Sequence, residues 1–73
     1  MTERELKLLL DARAVKQVQV HYAVMTAGYM VVIDGKNLEN SKREVRIFKT
    51  LDAVARFLFK TGIAEFAVKL RTV

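Results

Sequence analysis

The stretch from Ile47 to Arg71, IFKTLDAVARFLFKTGIAEFAVKLR, decides the fold. It reads as strand, capped helix, glycine stop and strand. Leu51, Val54, Ala55 and Leu58 fall at the i, i+3, i+4, i+7 spacing of one helix face. Thr50 stands where an N-cap hydroxyl is needed, Asp52 complements the positive end of the helix, and Gly62 suits the left-handed residue that closes it. Beyond it, Phe66, Val68 and Leu70 alternate with Glu65, Ala67, Lys69 and Arg71, the period of a strand with one buried side. A helix and a strand that are each apolar on one side must bury those sides against something, so the chain is expected to fold as an α+β unit.

Toward the N-terminus the same two periods recur. Thr2 and Glu5 have the T-x-x-E spacing of a capping box, and Leu6, Leu9 and Leu10 form the stripe of the helix it opens. Leu8 points about 160° away from that stripe. From Gln17 the period becomes two: Val18, Val20, Tyr22 and Val24 share one face, and Gln17, Gln19, His21, Ala23 and Met25 the other. Thr26-Ala27-Gly28 is short enough for a hairpin. The run Tyr29–Ile33, YMVVI, ends in Asp34-Gly35, a favoured turn pair. Its lack of polar alternation suggests a strand covered on both faces. Lys36–Glu44 is polar, with turn-forming Asn37, Asn40 and Ser41 and with Leu38 as its single apolar anchor. Val45–Phe48 is the third strand.

The expected architecture is a single domain, 1–73, of order α-β-β-β-α-β. Four mainly antiparallel strands form one sheet with both helices on one face. Its core is expected to contain Leu6, Leu9, Leu10, Val18, Val20, Tyr22, Val24, Val54, Leu58, Phe66, Val68 and Leu70.

Composition narrows the function classes. The 73 residues include no cysteine and one histidine. Disulfides and thiolate metal sites are therefore excluded, and a chain this small gains from self-association. No run approaches the ~20 apolar residues of a membrane span, and the charged N-terminus is unlike a signal peptide. A cytoplasmic protein without membrane contact is expected. The eight Asp and Glu residues form no pair aimed at a pocket. His21 has no partner for proton transfer, and Gly28, Gly35 and Gly62 lie too far apart for a phosphate loop. The chain reads as a non-enzyme with no cofactor and no metal.

The formal charge of +5 favours anionic partners. Lys36, Lys42, Arg43, Arg46 and Lys49 crowd the second loop and third strand, diluted by Glu39 and Glu44, while Lys69 and Arg71 face outward on the last strand. If the last strand lies near the third, these seven form a basic patch for phosphates without base reading. Double-stranded RNA-binding domains share the order α-β-β-β-α, but they carry lysines at the start of the second helix, where this chain has Thr50-Leu51-Asp52-Ala53-Val54.

Self-association is expected through the sheet face that two helices cannot cover. Gln19, His21, Ala23, Met25, Val31 and Ala67 are its candidate residues, with apolar members at the centre and polar ones at the rim.

A set of positions spanning most of the chain carries a resemblance: Asp34-Gly35, Phe48, Thr50-Leu51-Asp52-Ala53, Arg56-Phe57-Leu58, Gly62 and Phe66. In these the chain resembles small accessory proteins of plasmids and integrative elements, some labelled partition-associated or ParC-like. The resemblance implies a bacterial, cytoplasmic, non-enzymatic protein of mobile-DNA maintenance, with a partner protein from the same genetic element. It transfers no active site. Two functions follow: a homodimeric protein-interaction adaptor, or a sequence-nonspecific nucleic-acid binder using the basic loop.

Overall fold

The structure, a computed structural model, describes residues 1–70. Helix α1 (Glu3–Asp11) leads to strand β1 (Val18–Ala23), a 3-10 turn (Val24–Thr26) and strand β2 (Gly28–Ile33). Strands β3 (Lys36–Asn37) and β4 (Ile47–Phe48), helix α2 (Leu51–Thr61) and strand β5 (Ala67–Lys69) complete the order. The class is α+β, as the two periodicities predict.

The helix ends follow the sequence signals. Thr2 and Glu5 form the reciprocal capping box of α1, and the Thr50 hydroxyl accepts the Ala53 amide at 3.1 Å to cap α2. Gly62 closes α2 at φ 104°, where a Cβ would be strained. The two-residue turn after β2 places Asp34 at φ 49° and Gly35 at φ 84°, the left-handed pair that suits strand twist. The Asp34 carboxylate also accepts the backbone amides of Lys16 and Gln17, the latter at 2.7 Å, so the turn fixes the start of β1.

Strand β2 is the hub. It pairs antiparallel with β1 along its whole length, from Ala23↔Gly28 to Val18↔Ile33. Its other edge is shared by β3, at Val32 and Ile33, and β4, at Tyr29 and Met30. The sheet therefore has five strands rather than four. The expected third strand, Val45–Phe48, contracts to Ile47–Phe48, with Val45 making only an isolated bridge to Glu39. Between β3 and β4 the chain leaves the edge of β2 and returns. Two backbone bonds bracket this excursion, Leu38 N–H to Val31 O at 2.8 Å and Arg46 N–H to Leu38 O at 2.9 Å. The last strand lies beside the first, in parallel, with Gln19↔Ala67, Val20↔Val68 and His21↔Lys69. Thus α2 joins two parallel strands at opposite edges of the sheet.

Paired residues across a sheet share a face. Val18, Val20, Val31 and Ile33 therefore point together, into one cluster with Leu6 of α1, Val54 and Leu58 of α2, and Leu38, Phe48 and Ile63. Both helices feed the same cluster, so both cover the same face. Each aliphatic side chain fully removed from water there contributes roughly 1.5–3 kcal/mol.

Several core assignments change. Val31, assigned to the uncovered face, is 0% exposed in the core, because its register partner Val20 faces the helices. Val24 is exposed because β1 ends at Ala23 and the chain enters the 3-10 turn. Val68 and Leu70 are exposed, β5 having no strand on its outer edge among the described residues. Leu9, Leu10, Tyr22 and Phe66 are only partly buried. Helix α2 is also rolled away from the expected stripe. Val54 and Leu58 are buried, Leu51 and Ala55 are exposed, and Phe57 takes their place by packing on Phe48 at 5.5 Å between ring centroids.

Candidate functional site

The basic loop is a stitched loop. Asn40 Oδ1 accepts the amides of Lys42 and Glu44 at 2.8 and 3.0 Å, an Asx turn that reverses the chain. This turn aims Arg43 and Arg46 at α1. Arg43 Nη1 lies 3.2 Å from Glu5 Oε1 and 3.7 Å from Glu39 Oε1. Arg46 Nη1 lies 3.2 Å from Glu3 Oε1, whose other oxygen meets Lys7 Nζ at 3.1 Å. The Arg46 guanidinium also stacks on both Phe48 and Phe57, at 4.9 and 4.7 Å from their centroids. The Met1 ammonium closes the network on Glu39 at 2.7 Å.

Three carboxyls here sit below their ordinary value of 4.5. Glu3 is lowered first by its bond from Lys7, with Arg46 adding to it. Glu5 is lowered by the Thr2 amide and hydroxyl, and Glu39 by the Met1 ammonium. The cleft beside this network, about 500 Å³, is lined by Glu3 and Glu39 as well as Arg4, Arg43 and Arg46. A phosphate entering it would compete with carboxylates already in place.

The condition for the larger basic patch is not met. Lys69 lies on β5, separated from β3 and β4 by the full width of β1 and β2. Arg71 lies outside the described residues. Lys36, Lys42 and Lys49 are exposed and make no ion pair among the described residues. The structure therefore separates the six described candidates into an engaged arginine pair, three scattered lysines and a distant Lys69. Among the described residues there is also no group of three or more His, Asp or Glu side chains that could hold a metal ion.

The second surface is the sheet face without helices. Gln19, His21 and Ala23 of β1 lie on it, as the alternation predicts, with His21 Nε2 2.9 Å from Gln19 Oε1. Ala67 and Lys69 of β5 share this face through their pairing with Gln19 and His21. From β2 it takes Met30 and Val32, the register partners of His21 and Gln19. Ile47 of β4 joins them opposite Met30. Met30, Val32 and Ile47 form an apolar cluster on the β2 and β4 side of this face, flanked on β1 by Gln19 and His21, with Ala23 at the hairpin end.

Two of the proposed interface residues leave this surface. Val31 is in the core, and Met25 is 98% exposed on the 3-10 turn beyond the end of β1. Met30, Val32 and Ile47 were missed. The signal for Met30 and Val32 was the alternation inside YMVVI, which is readable only once the hairpin register is known.

Comparison with known protein families, curated proteins and solved structures finds no match to this chain. No helix among the described residues is long and apolar enough to cross a membrane.

Proposed function

We propose that this chain is a small non-enzymatic adaptor that works as a homodimer and presents its helix-free sheet face to a partner protein. It would belong to the plasmid and mobile-element accessory proteins its sequence resembles, with the partner encoded on the same element. One observation carries the reading: both helices cover one side of the sheet, leaving Met30, Val32 and Ile47 as an apolar cluster on the other, beside Gln19 and His21. Apolar side chains left uncovered beside polar ones have the composition of an interface.

The alternative, a sequence-nonspecific nucleic-acid binder, has less support. Arg43 and Arg46 are already held by Glu3, Glu5 and Glu39, leaving Lys36, Lys42 and Lys49 as its free charges in the loop region.

The deciding experiment is co-expression with the products of neighbouring genes. Formation of a complex that Val32→Glu abolishes and Leu8→Glu spares supports the adaptor. Failure of every neighbour to bind, together with DNA retention that falls steeply with salt, replaces it with the nucleic-acid reading.

A further inference from the structure

We infer that two copies of this chain join edge to edge through β5, running antiparallel about a two-fold axis at Ala67. The inference rests on the homodimer reading above and assigns its interface to the strand edge.

Strand β5 is bonded on one side only, to β1, and its other edge has no strand partner among the described residues. An open edge is a template for a further strand. The opposite edge of the sheet offers no equal, since β3 and β4 are two residues each and the chain breaks away between them.

The sequence around Ala67 is self-complementary in charge. Ala67 and Lys69 share the helix-free face, and edge pairing that lengthens β5 back to Glu65 would set Glu65 on the same face by alternation. Antiparallel pairing of Ala67 with its own copy sets Glu65 opposite the second copy's Lys69, and Lys69 opposite its Glu65. Each dimer then holds two such opposite-charge pairs. Neither residue makes an ion pair among the described residues of a single chain, and both are exposed. On the helix side the same register sets Phe66 opposite Val68. Val68 belongs to the core face by its pairing with Val20 yet stays 39% exposed, which this pairing would relieve.

The axis stands perpendicular to the sheet, so all helices lie on one side and the two helix-free faces form one continuous surface.

Sedimentation of the full chain tests this. Wild-type protein should be dimeric, and Glu65→Lys or Lys69→Glu alone should weaken the dimer about tenfold by setting like charges opposite each other twice. An equimolar mixture of the two variants should recover dimer, because every cross-strand pair is then of opposite sign. The double variant Glu65→Lys/Lys69→Glu should recover it too. A wild-type dimer indifferent to both single swaps but broken by Val32→Glu would overturn the edge pairing and keep the homodimer, moving it to the sheet face. A wild-type monomer at every concentration would overturn both.

Discussion

Val31 and Val32 are adjacent and identical, yet the hairpin register gives them opposite fates. Val31 pairs with Val20 and is fully buried under the helices, while Val32 pairs with Gln19 on the helix-free face. Replacing Val31 by alanine removes two carbons from the core at about 0.8 kcal/mol each. The void they leave adds to this, so a loss of about 2–3 kcal/mol is expected. A domain of this size has only roughly 3–5 kcal/mol to lose. The midpoint of thermal unfolding should therefore fall by about 10–20 °C. Val32→Ala, starting half-exposed, should cost less than about 1 kcal/mol. Urea and thermal unfolding of both variants, followed by far-ultraviolet circular dichroism at one fixed protein concentration, measures the difference. The concentration must match because self-association couples to stability. If Val32→Ala proves the costlier change, the hairpin is displaced by one residue and the face assignments above are reversed.

Gly28 is buried where β4 crosses β2, and a Cβ there would run into Ile47 Cγ2 and lie 2.9 Å from the Phe48 carbonyl oxygen. Gly28→Ala should cost about 1–3 kcal/mol in unfolding experiments, with β4 amides losing hydrogen-exchange protection first. The carboxyls of Glu3, Glu5 and Glu39 are lowered in the folded chain, so their contribution is complete above the ordinary value of 4.5 and is lost as pH falls through the folded values. Unfolding midpoints measured from pH 6 down to about pH 3 should decline over that window, and the decline should be shallower in Glu3→Gln/Glu5→Gln/Glu39→Gln.

What the sequence makes legible is what depends on local periodicity and capping. Thr2, Glu5, Thr50, Asp34-Gly35 and Gly62 each act through neighbours a few residues away, and each takes the predicted role. The face of β1 is equally readable, because Gln19 and His21 interrupt its valines. The run YMVVI has no polar residue to mark a side, so its phase is set by pairing with β1 across the connection at residues 24–27. That is non-local information, and Val31 is misplaced without it. The roll of α2 has the same origin. Leu51 and Ala55 satisfy the helical period as well as Phe57 does, and the choice falls to Phe57 because Phe48 of β4 and Arg46 just before it pack against its ring.

The arginines of the polar loop are engaged within the fold itself. Residues 38–46 depart from the sheet edge and must return to it across a stretch with almost no apolar material. Leu38 supplies the one fully buried anchor. The remaining attachment is electrostatic: Arg43 ties the loop to Glu5, and Arg46 ties its exit to Glu3 while stacking on Phe48 and Phe57. An exposed ion pair alone is worth at most about 1 kcal/mol. A network that shares Glu3 and Glu39 among several cations, with a guanidinium 4.9 and 4.7 Å from two ring centroids, holds more firmly than its separate pairs. These charges hold α1 to the loop, and through the loop to the far edge of the sheet. The positive excess left for partners then falls mostly on scattered lysines. Apolar side chains remain open to solvent instead on the helix-free face and on β5, where Glu65 and Lys69 have no counterion among the described residues of their own chain.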